Sequence, residues 1–258
     1  MSPHWLTALM AETEAGRPVV LVTAVTGENA GAKLLVGAGG VLAGGLGALD
    51  EHAAAAAGAA LRTGRPATLD AGGGTTLYLE PYLPPPTLVI VGAGHVAQPL
   101  ATGGKLAGFH VAVLDDRSAY ATRSRFPDAD AVICDEFRHG LDQLQLGVNH
   151  HVVLVTRGHQ HDLDCLRHVV DLPLAYIGMI GSRRRVMGVF QRLMDEGVAP
   201  ESLQRVHAPI GLDIGAETPG EIAISIVAEL VKLRHGGTGE SLSRGTRGSV
   251  HRFRRQQT

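Results

Sequence analysis

The residues of this chain best suited to chemistry stand in short polar clusters that directly follow apolar runs. Gly92, Gly94 and Ala97 come after the run 87–91 with the spacing Gly-x-Gly-x-x-Ala. That spacing suits a phosphate. The first glycine turns the chain, the second lets the backbone approach an anion, and the alanine lets a following helix pack closely. The amides of His95 and Val96 would open that helix, where unpaired N–H groups and the helix dipole favour negative charge. Without a ligand, the same glycines would serve a tight turn kept for packing. Asp115 stands 23 residues beyond Gly92, at the end of the run 110–115 and ahead of Asp116 and Arg117. At the tip of a second strand its carboxylate would accept hydrogen bonds from ribose hydroxyls. Arg117 suits an additional phosphate, or stands as an ordinary surface arginine.

Two further clusters follow apolar runs in the same way. Gly158 and His159 lie in Thr-Arg-Gly-His-Gln-His-Asp, residues 156–162. Gly181, Ser182 and Arg183 lie in Gly-Met-Ile-Gly-Ser-Arg-Arg-Arg, residues 178–185, with Ser182 placed to cap a helix. Of the three arginines, Arg183 lies nearest the loop and is the one assigned to an anion. His159, His161 and Asp162 could ligate a metal, but no third or fourth ligand is fixed by spacing, and hydrogen bonding or helix capping is the better reading. Cys165 falls inside a helical stretch, which favours burial over nucleophilic chemistry.

No Tyr-x-x-x-Lys pair and no Ser/His/Asp set can be assigned, so no catalytic residue and no metal ligand is named. The glycine-rich stretch 37–47 lacks the Lys-Ser/Thr of a Walker A loop and reads as turns.

The elements that must position these clusters alternate. Strands are expected at 87–92, 110–115, 131–135, 150–156 and 174–180. Helices are expected near 95–107, 136–146, 162–170 and 183–196, with a last one from about 219 to 234. Apolar strands alternating with helices of this length predict an α/β fold with a parallel, Rossmann-like sheet covered on both faces. Thr218, Pro219 and Glu221 specify the start of the last helix as a capping box with proline at its first position. Before Pro84–Pro85–Pro86, short strands at 17–25, 32–38 and 75–82 and a helix at 48–64 predict a small α+β domain. The expected boundaries are 1–80 for that domain, 81–86 for a proline-rich linker, 87–236 for the Rossmann-like domain and 237–258 for a basic, solvated tail.

Charge narrows the class of partner. The last fifteen residues carry five arginines (244, 247, 252, 254, 255) and no acid, which leaves the rest of a chain of net charge −2 mildly acidic. That balance argues against nucleic acid on the folded part. The two cysteines form no CxxC pair, and the N-terminal segment has no signal-peptide pattern. No apolar run is long enough for a membrane helix, so a cytoplasmic protein is expected.

Taken together in order, "VGAGHVAQPLA", "VLDDR", "RFPDAD", "RGHQHD", "YIGMIGSRRR" and "HAPIGLDIGAETPGEIAISIVAEL" resemble the Rossmann domain of the xanthine dehydrogenase accessory factor family (XdhC/CoxI). The resemblance covers roughly residues 87–236, and "GAKLLV" and "LYLEPY" extend it into the first domain. It implies a non-enzymatic maturation chaperone. Such a protein binds molybdenum cofactor, as molybdopterin or its dinucleotide form, supports its sulfuration by a cysteine desulfurase and delivers it to a molybdenum hydroxylase apo-enzyme. Self-association as a homodimer is compatible with this. The alternatives are an NAD(P)-dependent oxidoreductase and a nucleotide-sensing regulatory module. Where members of the family commonly carry Cys-Gly-Gly, this chain has Ala71-Gly72-Gly73, so a role for that thiol does not carry over. The Pro-Arg pair that usually precedes Gly-Ala-Lys is also missing before Gly31.

Overall fold

The computed structural model describes residues 3–243, with the backbone alone at His159. The arginines expected to form a basic tail, from Arg244 onward, lie outside the described residues. Two compact units divide the chain, Met1–Pro84 and Pro85–Thr258.

The first unit is an antiparallel sheet with a helix on each face. Its elements are α1 (His4–Glu14), β1 (Val19–Ala24), β2 (Lys33–Gly37), β3 (Gly40–Gly44), a 3-10 turn (Gly47–Leu49), α2 (Asp50–Thr63), β4 (Ala67–Asp70) and β5 (Thr76–Tyr82), in the sheet order β3-β2-β1-β5-β4. Val20, Val22, Leu34 and Leu77 face α2, which lies close because its inner line is Ala53, Ala57 and Ala60. Val19, Leu21 and Leu35 face α1 through Leu9. Burial on both faces explains why β1 is a continuous apolar run and does not alternate. β5 runs through Pro81 to Tyr82, where a linker was expected to have begun.

The second unit is a doubly wound sheet. It comprises β6 (Thr87–Val91), α3 (Ala97–Leu106), β7 (His110–Asp115), β8 (Ala131–Cys134), α4 (Phe137–Gln143), β9 (His150–Leu154), α5 (His159–Val169), β10 (Tyr176–Met179), α6 (Arg183–Asp195), α7 (Pro200–Gln204), β11 (Val206–His207) and α8 (Pro219–His235). All six strands are parallel, in the order β11-β10-β9-β6-β7-β8. One face is covered by α3 and α8 through Leu100, Ala101, Ile226 and Leu230. The other is covered by α4, α5 and α6 through Leu141, Leu166, Val189 and Leu193. This is the Rossmann architecture read from the alternation of strands and helices. The capping box at α8 is present in full: Thr218 Oγ1 accepts from the Glu221 amide at 3.3 Å, and Glu221 Oε2 accepts from the Thr218 amide at 2.8 Å.

Candidate functional site

From β6 the chain steps outward to β7 and β8, then returns past β6 to place β9, β10 and β11 on the other side. The loops after β6 and β9 therefore leave in opposite directions at the carboxyl ends of the strands, the position at which open sheets of this kind form a ligand crevice. The segments 92–96, 115–117, 155–158 and 180–182 all gather at that edge because the strands are parallel.

Gly92 has φ +106°, and a Cβ added there would come within 2.6 Å of the Val155 carbonyl oxygen at the end of β9. The neighbouring strand alone thus requires glycine. Gly94 differs: nothing lies within 4 Å of a Cβ built on it, so its outer side is open. The Gly92 amide donates to the Leu114 carbonyl at 2.7 Å, and the Ala93 amide donates to Asp115 Oδ2 at 2.7 Å. Among the described residues, the amides of Gly94, His95 and Val96 meet no acceptor. Ala97 is fully buried and opens α3. The turn thus has a tied half and a free half.

Asp115 corrects the sequence reading. It is 1% exposed, and each oxygen already accepts two donors. Oδ1 takes the Arg117 amide at 3.0 Å and Arg117 Nε at 2.7 Å; Oδ2 takes Arg117 Nη2 at 2.8 Å besides the Ala93 amide. A carboxylate offers about four lone-pair positions, and these are filled. Burial alone would raise this carboxyl, but the Arg117 guanidinium and the two amides outweigh it and hold it at about 2. Asp115 is therefore a strut that fixes the glycine turn to β7, and ribose hydroxyls find no vacant oxygen on it.

The guanidinium of Arg117 lies 3.6 Å from the centre of the Tyr120 ring, and that of Arg125 lies 4.8 Å from it. Arg125 Nη2 donates to the Ala93 carbonyl at 3.1 Å, while its Nε is buried with no acceptor among the described residues. Arg157, in the β9 loop, donates from both terminal nitrogens to Asp116 at 2.6 and 2.9 Å. This pair joins the loops after β9 and β7, whose strands flank β6. It lowers the Asp116 carboxyl, chiefly through the Arg157 hydrogen bond.

The remaining cluster is organised by Asp162, for which the sequence favoured hydrogen bonding over metal ligation. Asp162, fully buried, accepts from Thr156 Oγ1 at 2.5 Å and pairs with Arg185 Nη2. It thereby ties the β9 loop to the start of α6. Ser182 caps α6 as expected, accepting from the Arg185 amide at 3.3 Å. Gly158 precedes α5, which begins at His159. Arg183 is exposed and Arg185 half-buried. Arg185 Nε is a second buried donor lacking an acceptor among the described residues. His161 packs edge-on to Phe137, with ring centres 5.2 Å apart. Among the described residues no group of three or more His, Cys, Asp or Glu could hold a metal. Cys165 is buried, and burial pushes its thiol up to about 12, so it belongs to the core.

Sequence reasoning missed Arg125, Arg157 and Arg185. Arg157 and Arg185 lie inside the quoted clusters, but their partners are 41 and 23 positions distant.

A family model, the XdhC Rossmann domain, matches residues 88–230. The uncharacterized protein YqeB of Escherichia coli is 32% identical over 185 residues, 71% of this chain and 34% of that protein. A probable xanthine dehydrogenase subunit of Bacillus subtilis is 38% identical over 160 residues, 62% of this chain and 46% of that protein. The chain thus spans less than half the length of these curated relatives. A crystal structure of a xanthine dehydrogenase from Bacillus halodurans aligns over 92% of this chain and 98% of its own, at 22% identity and a TM-score of 0.54, which supports the fold. No described helix is long and apolar enough to cross a membrane.

Proposed function

The chain belongs to the XdhC Rossmann domain family, and on that premise we propose that it is an accessory protein that holds molybdenum cofactor for a molybdenum hydroxylase of the xanthine dehydrogenase type. The phosphate end of the pterin, or the pyrophosphate of its dinucleotide form, is placed in the crevice between β6 and β9. The observation that carries this reading is the free half of the glycine turn: three unpaired amides beside Gly94, whose outer side is open. Two arginines, Arg125 in the loop after β7 and Arg185 in the first turn of α6, each keep a buried Nε without an acceptor among the described residues and add positive charge near the same edge. The residues present therefore fit a phosphate.

Gly94, His95 and Val96 supply the amides. Arg157, Arg183 and Arg125 supply positive charge, and Asp115 holds the turn in place. When bound, the cofactor supplies the redox centre of the client enzyme. The chain's part is to grip and orient it, to allow its sulfuration by a cysteine desulfurase, and to release it to the apo-enzyme. A carrier of this kind needs no general base, in keeping with a cleft in which sequence reasoning assigned none.

The filled lone pairs of Asp115 also weigh against a dinucleotide held by its ribose diol, the arrangement usual in nicotinamide enzymes of this fold. The test is retention under anaerobic conditions of molybdopterin, NADH and ATP, each offered separately to the protein and to Gly94→Val. The substitution fills the open space without touching the rest of the fold. Tighter retention of the pterin, lost by at least tenfold in Gly94→Val with unchanged thermal stability, supports the proposal. Preferential retention of NADH, or pterin binding indifferent to Gly94→Val, overturns it.

A further inference from the structure

Helix α6 carries a second face that its own unit does not use, and its charges run against its dipole. Arginines fill its first turn and Asp195 ends it, with Arg192 in the last turn held by Glu196, whereas a helix favours acids at the start and bases at the end. Arg185 is answered by Asp162. Arg184 is exposed and meets no carboxylate among the described residues. Asp195 accepts from Gln191 at 2.9 Å and meets no base among the described residues.

Gly188, in the middle of the same helix, adds an independent observation. A mid-helix glycine costs about 1 kcal/mol relative to alanine. Three other glycines inside helices of this unit have a packing reason: an added Cβ would meet Val227 at 3.0 Å from Gly103, Leu88 at 2.7 Å from Gly104 and Leu114 at 2.3 Å from Gly140, whereas Gly220, in the first turn of α8, is open. Around Gly188 nothing lies within 4 Å. The chain's own packing does not ask for glycine there, whereas close approach of another backbone would.

Beside Gly188 stands Met187, 61% exposed. It continues into a shallow apolar depression of about 160 Å³ formed with Phe190, Met194, Pro200 and Leu203. Arg184, Gly188, Gln191 and Asp195 follow one another at helical spacings of four, three and four, and so form one exposed line.

We propose that this face of α6 is a dimer interface, and that its occupant is α6 of a second copy of this chain, packed antiparallel. The line is self-complementary about its midpoint, as an isologous contact requires. Arg184 then faces Asp195 of the other copy, twice over, and Gly188 faces Gln191, so that the glycines let the backbones approach. A two-fold axis normal to the helix pair keeps both apolar ridges on the same side, where Met187, Phe190 and Met194 of the two copies cover each other. The proposal does not depend on what the crevice binds.

The test is the oligomeric state of the full chain by sedimentation equilibrium. Wild type should dimerise at micromolar concentration. Arg184→Asp and Asp195→Arg should each weaken the dimer at least tenfold, and the double charge swap should restore it. Gly188→Leu should abolish it. Misfolding does not mimic this pattern, because aspartate in the first turn favours the helix and Arg184→Asp should leave the thermal midpoint of the monomer equal or higher. A wild type that stays monomeric, a dimer indifferent to these substitutions, or a double swap that fails to rescue overturns the proposal.

Discussion

Substituting Asp115 by asparagine separates a structural strut from a ligand contact. The native carboxyl lies at about 2 against an ordinary value of 3.8. At about 1.36 kcal/mol per pKa unit that difference corresponds to about 2.5 kcal/mol. The partner Arg117 is 28% exposed, and solvent screening there reduces the figure to about 1–2 kcal/mol. Asparagine can still accept from the Ala93 amide but turns its own NH2 toward the guanidinium, so a loss of about 2 kcal/mol is expected. For a domain of this size that lowers the thermal midpoint by about 4–8 °C. The pH dependence has a definite sign. A carboxyl lowered in the folded state stabilises above its unfolded value and loses that contribution as pH falls through the folded one. The gap between wild type and Asp115→Asn should be full above about pH 5 and close toward about pH 2. Circular dichroism melts across this range measure it. Trp5, the sole tryptophan, sits in α1 and reports the first unit separately by fluorescence. A variant with the wild-type midpoint at pH 7 and weakened nucleotide binding would refute the strut and restore the ribose contact.

Gly92→Ala should fail to accumulate as folded protein or lose several degrees of thermal midpoint, because its Cβ would press on the Val155 carbonyl at 2.6 Å; soluble yield and calorimetry decide. Arg157→Ala should change stability by less than about 1 kcal/mol, since its pair with Asp116 is half-exposed, yet weaken pterin retention severalfold. Thr218→Ala should cost about 1 kcal/mol through loss of the capping box, read by urea unfolding. With a thiol reagent, Cys134 should react in the native protein and Cys165 only after unfolding, one thiol and then two by absorbance.

Features with a local cause were legible in the sequence. The five longer parallel strands, the caps Ser182 and Thr218, and the core helices follow from apolar runs and capping residues that lie within a turn of their partners. Features whose cause lies elsewhere in the chain were not. α1 buries chiefly Leu9, too little to impose a helical pattern on residues 4–14. β3 and β4 sit among glycines and short polar runs, and only the neighbours β2 and β5 make them strands. β11 is two residues held by β10. At the site, the glycine turn was visible, whereas the duties of Asp115, Arg157 and Arg185 depend on which loops the sheet order brings together. Asp115 was placed correctly and given the wrong partner, because its position at a strand tip does not say that the next two residues fold back onto it.

The two glycines of the turn answer to different masters. A relative of this fold that never met an anion would still need glycine at position 92, since the adjoining strand leaves no room for a methyl group. Position 94 is under no such compulsion, and a larger residue there would trouble nothing but an incoming guest. Whether a protein of this architecture has kept its passenger is therefore written in the second glycine, and the first is silent on the matter.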